Sequence, residues 1–158
     1  MMMCAFAIAA YRTAEPLLTP EEFSGMIDAV CNCGMMEKMY KGKDEFSDKN
    51  IRSRVKQAEW TQTHNYTMDW KTIFSYEPGS GEHFITHTEC GVCKLAAQEG
   101  VSDLVRYMCK MDYPAYELKG VVLDRTKTLG YGDECCNFHV MTKEKAAAIG
   151  YVRGADAK

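Results

Sequence analysis

Between Glu89 and His139 the chain places Cys90, Cys93, Cys109, Asp112, Arg125 and Cys136, side chains that together supply nucleophiles, a proton carrier and a cation. A thiolate attacks an electron-poor carbon, and a nearby carboxyl carries a proton to a departing nitrogen. Cys109 and Asp112 stand three apart on a helical stretch, which puts them on one face. A neighbouring carboxylate raises a thiol's pKa. The pair therefore works only with a cation close by, or with Asp112 acting on water or on the substrate. Arg125 is the natural cation, and its planar fork suits either a substrate carboxylate or Asp112. Each residue also has a plain structural role: Cys109 as a core thiol, Asp112 as a helix-end cap or partner of Arg125. The alternation Cys136, Phe138, Val140 puts Cys136, rather than Cys135, on the inner face of a strand.

The same thiols permit a different chemistry. Cys90-x-x-Cys93 alone is a weak signal, but with Cys109 and Cys136 it makes four thiolates, the set for a closed structural zinc site. Three of these ligands with an Asp or His would leave a position for an activated water. The sequence itself requires no cofactor. His83 and His87 are four apart on a strand, two pleats away from each other and too far for easy shared ligation, so both read as satisfied core or surface histidines. Glu89, beside Cys90, is either a general base or an edge-strand charge.

Composition bounds the setting of this chemistry. The chain has 158 residues, 46% hydrophobic and 26% charged, with a mean hydropathy of -0.34, which is the balance of a folded globular protein. A net charge of -3 excludes the basic footprint of a nucleic-acid binder. The cluster Lys49, Arg52, Arg54 and Lys56 reads as a solvated helix face. The apolar start, Met1 to Ala10, lacks a positive flank and a cleavage site and is too short to cross a bilayer, so it reads as a core-facing first helix. A cytoplasmic setting with eight reduced cysteines follows, and the partner expected is a small-molecule substrate, with no nucleic acid or membrane; a homo-oligomer is left open.

The elements that must position these residues are legible from periodicity and punctuation. Thr19-Pro20-Glu21-Glu22 is a capping box with proline at the first helical position, and apolar spacing carries that helix to about Tyr40. A second helix runs from Asp48 to Trp60. Tyr66 to Tyr76 and His83 to His87, around the turn Glu77-Pro78-Gly79-Ser80-Gly81, form an antiparallel hairpin. A helix interrupted at Gly100 follows Cys93 and ends near Tyr113-Pro114. Val121–Arg125 and Cys136–Val140, around a glycine turn, form a second hairpin. The fold class is α+β: an antiparallel sheet of about four strands in two hairpins, packed with N-terminal and intervening helices. One domain spans 1–158, with a mainly helical part at 1–61, sheet plus helix carrying the site at 62–142, and a tail at 143–158 that forms a short helix and a frayed end.

Four segments occur in a telling order: Glu89-Cys90-Gly91-Val92-Cys93, Cys109-Lys110-Met111-Asp112-Tyr113, Arg125-Thr126-Lys127-Thr128-Leu129, and Gly132-Asp133-Glu134-Cys135-Cys136-Asn137-Phe138. Together with Trp60 and Asp69-Trp70 they resemble the L-2-amino-thiazoline-4-carboxylic acid hydrolase family over most of the chain. Members tend to carry Asp and Arg where this chain has Asn137 and His139, and its start is shorter than is common there. The resemblance implies a hydrolase opening a C–N bond of a small cyclic amidine or amide, in cysteine-related metabolism. It implies Cys109, Asp112, Cys136 and Glu89 as catalytic residues, with Arg125, Thr128 and Cys90 binding substrate. The segment from Gly132 to Phe138 is also similar to the end of 4-vinyl reductase type domains. That likeness supports a non-catalytic small-molecule or zinc-binding module as the alternative.

Overall fold

A computed structural model describes residues 2–154; the frayed end expected of the tail falls at 155–158, outside the described residues. Helix α1 (Met2–Thr13) opens the chain, and Thr19 then starts α2 (Pro20–Cys31). The capping box forms as read: the Glu22 amide donates to Thr19 Oγ1 at 3.2 Å, and the Thr19 amide donates to the Glu22 carboxylate at 2.8 Å. Phe23 and Ile27 bury fully from this helix, each contributing roughly 1.5–3 kcal/mol of transfer free energy.

The single helix expected to reach Tyr40 is two helices. The Asn32 amide side chain donates to the Asp28 carbonyl at 2.8 Å, Cys33 turns extended, and α3 (Gly34–Tyr40) starts anew. Asn and Gly at 32 and 34 are weak helix formers, and Asn32 offers its backbone a local alternative. Helix α4 (Asp48–Thr63) follows Ser47, whose hydroxyl caps the Asn50 amide.

Strand β1 (Lys71–Tyr76) begins later than Tyr66. Residues 66–70 turn instead, with the Asp69 amide bonded to the Tyr66 carbonyl at 3.2 Å and the Asp69 carboxylate accepting from the Trp70 amide. Strand β2 (Glu82–Glu89) completes the first hairpin; β3 (Val121–Asp124) and β4 (Cys136–Thr142) form the second. Antiparallel pairing of β2 with β4 joins them into a four-stranded sheet of order β1-β2-β4-β3, the α+β arrangement expected. Helix α8 (Lys143–Ala148) closes the described chain, capped by the Thr142 hydroxyl.

The helix expected between Cys93 and Pro114 is divided. Helix α5 (Gly91–Gln98) stops before Gly100, which takes φ +71°, and a 3₁₀ turn at Ser102–Leu104 leads into α6 (Val105–Cys109). Helix α7 (Asp112–Leu118) then starts where an end was expected. Pro114 is its third residue, inside the first turn, where the missing N–H has no helical partner to lose. Cys109 and Asp112 therefore end one helix and open the next.

Helices α4 and α7 cover one face of the sheet, α4 against β1 and α7 against β3. On the other face Ile73 and Phe84 remain 56% and 45% exposed. One apolar cluster gathers Ile8, Phe23, Ile27, Val92, Ala96, Leu104, Val105 and Met108 from the helices. A second joins Ile85, Leu123, Cys136, Phe138 and Val140 of the sheet to Tyr113 and Tyr116 of α7. Among the described residues no helix is long and apolar enough to cross a membrane.

Candidate active site

Where the two clusters meet, a cavity of about 560 Å³ is walled by side chains of both. Met36, Met39, Met108 and Met111 with Trp70, Phe74 and Phe138 make much of that wall apolar. Into it the fold brings Cys90, Cys109, Asp112, Arg125 and Cys136, five of the seven residues that the sequence assigns to catalysis and substrate binding.

Cys90 is the N-cap residue of α5, in extended conformation, so its side chain sits over the first turn of that helix. Gly91 makes the placement feasible. A Cβ there would stand 2.3 Å from the Met68 carbonyl oxygen and 3.2 Å from the Trp70 ring, so only glycine lets the helix start lie against this segment. The Cys90 sulfur makes no capping hydrogen bond of full geometry, yet several donors surround it. The Cys93 thiol, the Val92 and Cys93 amides and the Trp70 indole hold its pKa below the ordinary thiol value against the opposing effect of burial. Cys93, which donates, is pushed up correspondingly by that bond and by burial. The N-terminal end of a helix favours negative charge on a side chain in the Cys90 position.

Asp112 and Arg125 form the charged part of the wall. Arg125 Nη1 donates to Asp112 Oδ2 at 2.5 Å, and its Nη2 donates to the Cys109 carbonyl at 2.9 Å. The guanidinium is 1% exposed and lies between the Tyr113 and Phe138 rings, each centred 5.1 Å away. Of the two partners open to it in the sequence, Arg125 holds Asp112. The Asp112 side chain retains 40% exposure, and it borders the cavity. Enclosure there pushes its pKa up from the usual carboxylate value, outweighing the Arg125 charge. Cys109 is pushed up as well, by burial first and then by Asp112. Burial likewise raises Cys136 to about 11, although the Leu129 amide donates to its sulfur at 3.2 Å.

Two further wall residues were given structural readings in the sequence, His87 as a satisfied histidine and Arg54 as part of a solvated helix face. His87 faces inward from β2, hydrogen-bonded through Nδ1 to the Thr72 hydroxyl at 2.9 Å, and burial with the Arg54 and Arg125 charges lowers its pKa to about 4. It is a neutral imidazole at physiological pH. Arg54 leaves the solvated face expected of its cluster: it binds the buried Glu45 and the Tyr116 hydroxyl, and its Nε is buried without a partner. The signal for Arg54 lay in helical phase, since Ile51 and Ala58 are buried at three and four residues from it and mark the same inward side.

The remaining assigned residues lie elsewhere. Glu89 is exposed at the end of β2 and pairs with Lys94. Thr128 is fully buried in the β3–β4 connection, its amide bonded to Asp133, and does not line the cavity. Cys93 packs behind Cys90 against the helical cluster. Among the described residues no three His, Cys, Asp or Glu side chains are grouped to hold a metal ion. The two departures from the family pattern are also away from the cavity. The Asn137 carboxamide accepts from the Thr126 and Lys127 amides, and His139 stacks on Phe84 at 4.4 Å and bonds Glu82. Both alternate with Cys136, Phe138 and Val140 and so project to the outer side of β4.

No curated protein and no solved structure matches the chain. The family model for L-2-amino-thiazoline-4-carboxylic acid hydrolase matches residues 1–140, a span that includes α1 to α7, the whole cavity wall and most of β4. With the helical N-terminal part matched as well as the motif-bearing sheet, the chain belongs to the L-2-amino-thiazoline-4-carboxylic acid hydrolase family.

Proposed function

We propose that the protein is a hydrolase that opens a C–N bond of a small cyclic amidine or amide, with Cys90 as nucleophile and Asp112 as proton donor. The observation that carries this reading is one cavity holding a thiol kept low and a carboxyl kept high, two groups whose environments push them toward opposite protonation states. The Cys90 thiolate adds to the amidine carbon, forming an S–C bond while the C=N π pair moves to nitrogen. That nitrogen already carries the proton of the amidinium form; Asp112 delivers a second, and the C–N bond breaks with its electron pair on the leaving amine while the lone pair of the other amidine nitrogen forms a new double bond to the carbon. Water then cleaves the S–C bond and returns the thiolate. Arg125 orients Asp112 and keeps its carboxylate form tolerable once the proton has left. Cys109 and Cys136, whose burial keeps them protonated, serve as neutral wall and weak donors in this scheme.

The assignment moves the nucleophile from Cys109 to Cys90, and variants separate the two. With 2-aminothiazoline-4-carboxylate as substrate, Cys90→Ser is expected to lower kcat by about 10³-fold or more, whereas Cys109→Ser retains most of it. Loss of turnover in Cys109→Ser alone restores Cys109 as nucleophile. No turnover by the unmodified protein, with the compound bound, favours the non-catalytic small-molecule module.

A further inference from the structure

We propose that Cys90 and Cys93 form a redox-active dithiol that closes reversibly to a disulfide by exchange with a low-molecular-weight disulfide of the glutathione type. The two residues occupy the N-cap and third positions of α5. An N-cap side chain reaches toward the third helical residue, and the Cys93 thiol is hydrogen-bonded to the Cys90 sulfur, which brings the two sulfurs together. Both thiols are free. Their surroundings divide the labour of exchange. Cys90 borders the cavity, through which a small disulfide can reach it, and Cys93 lies behind it against the helical cluster. The tight fit of Gly91 under Met68 and Trp70 fixes the first turn of α5 and with it the spacing of the pair.

The exchange balances without any further reagent. The Cys90 thiolate attacks one sulfur of the small disulfide, its S–S bond breaks, and one small thiol leaves with the electron pair and a proton. Cys93 gives up its proton and attacks the Cys90 sulfur of the mixed disulfide, releasing the second small thiol. The protein loses two electrons and the Cys93 proton, solvent supplies the second proton, and the small disulfide becomes two thiols. Cys109 and Cys136 border the same cavity but stay protonated, and they make poorer attacking groups. The inference does not depend on hydrolysis, although closure would remove the nucleophile proposed above.

The test uses the full chain and no substrate. Reduced protein is equilibrated in reduced and oxidised glutathione mixtures, acid-quenched, alkylated and digested with trypsin. The peptide from Thr72 to Lys94 contains Cys90 and Cys93 and no other cysteine, so a bridge between them reads as the loss of two hydrogens from one peptide. The expected result is that this peptide oxidises first and reverts on adding reduced glutathione. Cys93→Ser, which cannot close the bridge, is expected to accumulate one glutathione on Cys90, at a rate about tenfold or more above that on Cys109. A Thr72–Lys94 peptide that stays reduced while Cys135 or Cys109 oxidises overturns the proposal, as does a bridge joining Cys90 to Cys109. Either result leaves the hydrolase reading to its own assay.

Discussion

Glu45 shows how one side chain can hold a large part of this structure. It is 2% exposed at the end of the α3–α4 connection, where Arg54 and His83 contact Oε1 and Lys119 reaches Oε2 at 2.7 Å. Burial alone would raise its pKa, but the His83 hydrogen bond and the Arg54 and Lys119 charges bring it down to about 2. A carboxylate held lower in the fold than in the unfolded chain stabilises the fold above its ordinary pKa and loses that contribution as pH falls toward the folded value. The shift is on the order of 3 kcal/mol, lost between about pH 4.5 and about pH 2. His87, lowered to about 4, acts in the same direction at higher pH: its contribution is complete above its ordinary value and is lost as pH falls toward 4. Urea unfolding across this range should therefore show stability declining in two overlapping steps. Glu45→Gln should remove the lower one and cost about 3–5 kcal/mol at neutral pH by stranding buried cations. An unchanged acid limb in that variant rules out Glu45 as its source. At this scale strand alternation placed Cys136 on the inner face of β4, as found, whereas Cys109 and Asp112, expected on one helix face, reach the cavity wall from the end of α6 and the start of α7. The sequence did not show that the Trp70 indole, from the 66–70 turn, joins the Val92 and Cys93 amides of α5 around the Cys90 sulfur.

At the scale of elements, the position of Cys90 depends on how α5 begins. Gly91 is the residue that lets α5 pack against the 66–70 turn, and Gly130 plays a parallel part beside α6, where a Cβ would stand 2.9 Å from Cys109 Sγ. Gly91→Ala should force the Met68–Trp70 segment away, costing about 1–3 kcal/mol in urea unfolding. It should also slow iodoacetamide alkylation of Cys90 as the Trp70 indole retreats from the sulfur. A variant that unfolds like wild type and alkylates at the same rate would show that the close approach does not set the thiol. Capping chemistry at Thr19 and the two hairpins were legible from sequence, since both are local. The breaks at Asn32–Cys33 and Lys110–Met111 were not. Continuous apolar periodicity masked both, including the weak helix formers Asn32 and Gly34 that end α2.

For the whole molecule, the size and lining of the cavity set what it accepts. At 560 Å³ it lies in the range of roughly 300–1,000 Å³ that takes drug-sized ligands, more room than a single small ring fills. Its methionine and aromatic wall favours an apolar substituent on the amidine ring. A 5-phenyl derivative of 2-aminothiazoline-4-carboxylate should bind about tenfold more tightly than the parent compound in calorimetric titration. Equal or weaker binding would mean that the apolar wall is core packing rather than a binding surface. From its sequence alone this protein's α+β class, its hairpins and its family could be read, because periodicity, turn residues and motif order are properties of neighbouring positions. The tertiary structure decided the rest: that Arg125 grips Asp112, that Arg54 and His87 face inward, and that Trp70 meets the Cys90 sulfur. Each of those depends on distances between residues far apart in the chain, which folding alone brings together.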